Sequence, residues 1–200
     1  MIFGDTEILW LVDLGGEIIL ETPEWEKGKC IVASERTYLA RIDAKDLLCD
    51  HARWCASKVM HLWNAPYIVR RYLETGDRTL RFEAKAACAS VNTYRPTCFG
   101  EPGVASYDAS RAAWHATTVE TSTGEAALNA VRGSIIHAAL AAASAAWNAA
   151  FPGRERARED AYYASINAQK DRFLNLVKME FVAQDPAIGD IFTSFPSNGV

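Results

Sequence analysis

Residues 109–150 read ASRAAWHATTVETSTGEAALNAVRGSIIHAALAAASAAWNAA, and this stretch decides the fold. The pattern Ala-Ala-Trp-x-Ala occurs in it twice, at Ala112–Ala116 and at Ala145–Ala149. Alanine has the highest helix propensity and loses no side-chain entropy on folding. It buries little area, so an alanine face gains less per residue than a leucine face. The compensation is close approach, because small residues let two helix axes come together. Apolar positions near Ala127, Val131, Ile135, Ala138, Ala142, Ala145 and Ala149 keep the 3.6-residue period of one long helix. Trp114 and Trp147 are then large wedges at the margins of thin interfaces.

Helical signals continue on both sides. Leu48, Ala52, Cys55, Val59 and Leu62 recur at steps of four and three, one face of a helix that Asp43 is placed to cap. Asn64-Ala65-Pro66 ends it, and a short helix from Tyr67 to Glu74 is closed by Gly76. Asp77 caps a third helix to about Val91, with Leu80, Ala84, Ala87, Cys88 and Val91 as its stripe. Pro and Gly make residues 93–105 a loop. A fourth helix starts at Ser106 or Asp108 and ends near Val119. The fifth follows Thr123 and reaches about Phe151. The sixth covers Arg154 to about Ala183, and Pro186 stops it. Ile188, Ile191, Phe192 and Phe195 predict a tail that docks on the rest.

The first 42 residues differ. Glu7–Val12 and Glu17–Glu21 are apolar runs around Gly15-Gly16, the signature of a β-hairpin, and Lys29–Ala33 adds a further strand-like run. The expected fold is therefore mainly α: an antiparallel bundle of five to six helices with a small N-terminal β-hairpin element. Its parts are an acidic segment 1–42, a helical bundle 43–185 and a docked tail 186–200.

A resemblance accompanies this reading. Cys55-Ala56-Ser57-Lys58-Val59-Met60-His61-Leu62-Trp63, then Leu73-Glu74-Thr75-Gly76-Asp77, then Ala-Ala-Trp helices follow one another. This order resembles a group of Ala/Trp-rich helical proteins of phages and bacteria, among them proteins labelled as immunity proteins. The likeness covers about residues 49–180. It implies a non-enzymatic helical protein with a protein partner, and it carries no catalytic residue to transfer. The chain departs from the group in its acidic first 42 residues and in the Thr117–Gly124 interruption of its alanine repeat.

Charge narrows the function classes. Net charge is −4, which disfavours a nucleic-acid partner. Residues 1–43 hold nine acidic and four basic side chains, a net −5, and the remainder sums to +1. The candidate partner-binding residues are therefore Glu17, Glu21, Glu24 and Glu26 in the acidic segment. Arg70, Arg71, Arg78 and Arg81 form a second set, interleaved with Glu74, Asp77 and Glu83. Ion pairing explains that second cluster most simply, and a phosphate or acidic partner is its sharper reading.

Catalytic motifs are missing. No His-x-x-x-His, phosphate loop, dinucleotide fingerprint or nucleophile elbow occurs, and no cofactor or metal is expected. His51, His61, His115 and His137 are read as structural or surface groups. Cys55 and His51 stand four residues apart, a spacing that can activate a thiol, but Cys55 also lies on an apolar stripe and reads as core. Five cysteines without a Cys-x-x-Cys pair fit reduced thiols and a cytoplasmic protein. No run of about 18 apolar residues marks a membrane span. The expected function is an intracellular protein-binding module, an inhibitor or immunity-type protein. A homo-oligomer and an enzyme with a site assembled across helices are its alternatives.

Overall fold

The computed structural model describes residues 7–21, 30–91, 103–150 and 152–194. The alanine stretch folds as two helices, α4 (Val104–Val119) and α5 (Gly124–Ala149). Before them come α1 (Lys45–Lys58), α2 (Tyr67–Thr75) and α3 (Arg81–Val91), and after them α6 (Arg154–Gln184) and α7 (Ile188–Ser194). Two strands, β1 (Ile8–Glu21) and β2 (Cys30–Asp43), precede them all. The chain is thus mainly helical, with seven α-helices among the described residues and a two-stranded antiparallel hairpin at its N-terminal end. The helix beyond the expected six is α7, in the tail. Two compact units result: Met1–Ala44 with Glu180–Val200, and Lys45–Met179.

In the unit Lys45–Met179, α4 packs along α5, and α1 packs on both. Ala109, Ala112, Ala113 and Ala116 of α4 and Ala127, Ala139 and Ala141 of α5 are wholly buried. Ser134 of α5 shares its hydroxyl proton between the carbonyls of Ala52 on α1, at 2.9 Å, and Ala112 on α4, at 3.2 Å. Such bonds to a neighbouring backbone need residues that keep no bulk between the helices. Gly133 shows the same limit, since a Cβ there would lie 2.5 Å from the His115 ring of α4. The expected α1 stripe is buried at Leu48, Ala52, Cys55 and Val59. Tyr72 of α2 is fully buried and donates its hydroxyl to the Ala116 carbonyl at 3.4 Å.

By length and hydropathy α5 could cross a membrane. Its packing against α4 and α1 and its buried Ser134 and Ser144 make it a core helix in this structure. Trp114 and Trp147 are partly buried, as wedges would be, and each carries a guanidinium over its ring: Arg111 at 4.5 Å and Arg158 at 5.7 Å.

Helix ends follow local chemistry. Gly76 closes α2 at φ +66, donating its N–H to the Tyr72 carbonyl at 2.9 Å. Asp77 accepts from the Thr79 backbone at 2.9 Å, so it caps a 3₁₀ turn, Arg78–Leu80, that leads into α3. Gly103, at φ +93, precedes α4, which begins at Val104, two residues before Ser106 and four before Asp108, the two expected starts. Asp43 is the last residue of β2, paired with Ile8, and α1 starts two residues later.

In the other unit the expected turn moves. Gly15-Gly16 lies inside β1, opposite Glu35, where the register shifts before Ile18. Gly16 has φ +69, the left-handed conformation of a β-bulge, and Ser34 Oγ accepts from the Glu17 N–H at 2.9 Å beside it. A glycine pair serves a bulge as well as a turn, and the sequence does not distinguish them. Of the expected run Lys29–Ala33, Cys30 to Ala33 begin β2, and Lys29 lies outside the described residues. In the tail Ile188 is buried, and the Phe192 ring lies 6.4 Å from Phe181. Phe195 lies outside the described residues.

The α4–α5 contact yields a test. Gly133→Ala gains about 1 kcal/mol of helix propensity in an open helix. Here the His115 ring stands against it, so net destabilisation of about 1–2 kcal/mol is expected by urea denaturation. Combining it with His115→Ala should restore most of that loss; equal effects in both backgrounds would refute the steric account.

Candidate functional site

The hairpin is the first place where ordinary fold logic leaves work undone. Both strands are 14 residues long, and each has one edge unpaired among the described residues. Leu9 and Ile42 are buried, but further along, Ile18 is 53% exposed and Tyr38 is 56% exposed. Ile19, Val32 and Leu39 are exposed as well. Ile18 and Ile19 are neighbours in one strand, so they point to opposite faces. The ribbon thus shows apolar side chains on both faces. Trp10 and Tyr38 meet edge to face at 5.2 Å, and Arg41 stacks on Trp10 at 5.8 Å, which stiffens the described strands.

Of the acidic candidates, Glu17 lies exposed on this ribbon. Glu21 ends β1, with its side chain outside the description, and Glu24 and Glu26 lie outside the described residues. Asp13 and Glu35 are exposed on the same ribbon.

The arginine candidates divide. Arg70 and Arg71 are exposed on α2, and Arg70 donates to the Ala65 carbonyl at 2.9 Å. Arg78 pairs with Asp46 of α1 at the surface. Arg81 reaches Glu120, whose side chain is only 3% exposed, at 3.5 Å, and Arg53 of α1 reaches the other oxygen at 3.2 Å. Lys45 donates to the carbonyls of Val119 and Ser122, capping the C-terminal end of α4 where the helix dipole favours a cation. Lys45, Asp46, Cys49, Arg78, Arg81 and Glu120 line a cleft of about 110 Å³. Its cations meet carboxylates of the same unit, so Arg78 and Arg81 serve internal pairs in this structure.

A third constellation escaped the sequence reading. Asp108 of α4, nearly buried, lies 2.8 Å from Nδ1 of His137 on α5. That contact fixes Nδ1 as the protonated nitrogen and leaves Nε2 as the free lone pair. His115 stacks on His137 at 5.3 Å and 15°, and Arg111 lies 3.5 Å from the His115 Nε2. Burial, then the guanidinium of Arg111 and the neighbouring His137 ring, hold His115 down to about 4. The signal was present as a His interrupting an alanine run, but pairing it with Asp108 needs the helix crossing.

Cys55 and His51 do meet, with Sγ 3.6 Å from Nε2. Both are buried, however. Burial pushes the Cys55 thiol up to about 12, and burial together with Arg172 holds His51 down to about 4. At neutral pH the pair is thiol and neutral imidazole, the reverse of an activated nucleophile. Cys49, Cys55 and Cys88 are free and buried. Among the described residues no group of three His, Cys, Asp or Glu side chains could hold a metal ion.

Two outcomes follow. Glu120→Gln leaves Arg53 and Arg81 without a buried counter-charge and should cost about 3 kcal/mol in denaturant unfolding. His51 and His115 have folded values near 4 against 6.5 in the free side chain. The unfolded chain therefore binds more protons between pH 6.5 and 4. The stability that neutral imidazoles contribute is complete above 6.5 and falls as pH drops through that window. The expected loss at pH 4.5 is about 2 kcal/mol for His51 and less for the half-exposed His115. A double variant, His51→Asn with His115→Asn, should flatten that pH dependence; an unchanged slope would remove these histidines from the account. Compared with known proteins, the chain matches no family model, no curated protein and no solved structure.

Proposed function

We propose that this chain is a non-enzymatic protein-binding module, an inhibitor or immunity-type protein of a phage or mobile element that acts inside the cell by occupying a partner protein. The hairpin ribbon carries this reading. A two-stranded ribbon alone is marginal in water, and among the described residues no second layer of sheet covers the apolar side chains on its faces. Such a ribbon is completed by a partner that adds a strand at an open edge and receives Ile18, Tyr38 and their neighbours in a groove. The acidic side chains of residues 1–43 select a partner with a basic rim. In this reading the helices form an antiparallel bundle that serves as a rigid frame. The Ala-Ala-Trp resemblance supports the same class, and the exposed arginines Arg70 and Arg71 offer a secondary contact.

Asp108 and His137 favour a second reading, an enzyme whose site is assembled across α4 and α5. A carboxylate behind an imidazole is a general-base arrangement. No nucleophile stands beside it among the described contacts, so the binding reading leads.

Ile18→Asp and Tyr38→Asp change exposed residues and should leave unfolding free energy within about 0.5 kcal/mol of the parent. Both should abolish capture of the partner from host lysate. Lysine at Glu17, Glu21, Glu24 and Glu26 together should weaken capture and make the remainder less salt-sensitive. Capture that survives all of these changes at full strength would overturn the ribbon as the binding element.

A further inference from the structure

His137 of α5 stands apart from the other three histidines. Asp108 of α4 lies 2.8 Å from its Nδ1, and that carboxylate side chain is 9% exposed. The His137 side chain is 24% exposed, and its Nε2 makes no hydrogen bond among the described residues and is not shielded from solvent. His51, by contrast, is 1% exposed, with its Nε2 against the Cys55 thiol. His115 packs between the Trp114 ring at 4.9 Å and the His137 ring at 5.3 Å, and its Nε2 lies 3.5 Å from Arg111. His61 is exposed and has no hydrogen bond or ion pair among the described residues. Only His137 joins an accessible Nε2 to a carboxylate held on Nδ1.

A neutral imidazole in water carries its proton mainly on Nε2, which takes the lone pair from the nitrogen that reaches furthest. Asp108 reverses this: with Nδ1 protonated toward the carboxylate, Nε2 holds the lone pair. The carboxylate also offsets the positive charge that the ring acquires when Nε2 forms a bond, and near-burial strengthens that effect. The pair sits on α4 and α5, which pack along each other, so helices and not a loop set its geometry. Arg111, one turn of α4 beyond Asp108, makes no ion pair among the described residues. Its charge, beside the two stacked imidazoles, favours an anionic reactant over a neutral one.

We propose that His137 is a nucleophile that accepts a phosphoryl group at Nε2 from a small-molecule donor, an acyl phosphate or a phosphoramidate, with Asp108 as its positioning residue. The Nε2 lone pair forms the N–P bond while the donor's P–O or P–N bond breaks, and a carboxylate or ammonia leaves with the electron pair. The Nδ1 proton stays between the ring and Asp108. This assignment rests on the same Asp108–His137 contact as the enzyme reading and deepens it; the ribbon plays no part in it.

The test treats the full chain with phosphoramidate at neutral pH and follows each histidine by mass spectrometry, with His61 of the same chain as the control for an exposed imidazole. Phosphorylation at His137 should be at least about ten-fold faster than at His61, although His137 is the less exposed, and should fall to the His61 rate in Asp108→Asn. With acetyl phosphate, which can give up either group, His137 should gain phosphoryl and not acetyl. Nitrogen NMR of the untreated protein should place the His137 proton on Nδ1, and Asp108→Asn should move it toward Nε2. Where Asp108→Asn is unstable, the two histidines of the unaltered chain decide by themselves. Equal rates at His61 and His137, acetyl in place of phosphoryl, or an unchanged rate in folded Asp108→Asn would each overturn the assignment. A His137 proton on Nε2 would sink the enzyme reading with it, whereas a proton on Nδ1 without phosphorylation would sink the assignment alone.

Discussion

The unit Lys45–Met179 depends on one constraint: α4 and α5 must approach closely enough for side chains of one to reach the backbone of the other. The Ser134 hydroxyl states it best, since its proton is shared between carbonyls of α1 and α4. Ala109, Ala112, Ala113 and Ala116 of α4 are wholly buried, and Gly133 is bare one residue away from Ser134. Burial of alanine contributes little area per residue, so stability here comes from many short contacts and from satisfied polar groups.

That economy explains where the charges go. A frame with thin apolar interfaces leaves helix ends and long polar side chains close to its interior. Lys45 takes the last carbonyls of α4, Glu120 gathers Arg53 and Arg81, and Asp108 takes His137. Each is a polar group placed where a leucine-packed bundle would hold hydrocarbon. Removing one member of such a set strands the others without water. The Cys55–His51 pair belongs to the same class of buried polar contact, and its burial keeps both groups uncharged at neutral pH.

The helices were legible because their signals are local. The 3.6-residue stripe from Leu48 to Val59, Gly76 past the end of α2, Asp77 before a helical turn and Pro186 after α6 act within a few residues of themselves. The errors share a cause too. Gly15-Gly16 was legible as a break in β1 but not as a bulge, because bulge and turn differ only in what lies across the ladder. Asp43 carried a cap signal that strand pairing with Ile8 overrode. The polar constellations were the least legible. Asp108 and His137 are 29 residues apart, and Trp54 and Arg172 lie on helices separated by most of the chain. Their pairing is fixed by helix packing, which no local pattern encodes.

A division of labour follows from this chemistry. Where the alanine helices α4 and α5 face each other, their small side chains are buried, so that face offers nothing to a partner. Recognition needs groups whose bonding is incomplete, and the ribbon has them: open edges among the described residues, and exposed Ile18 and Tyr38. It lacks apolar cover and backbone partners, and a protein that adds a strand supplies both at once.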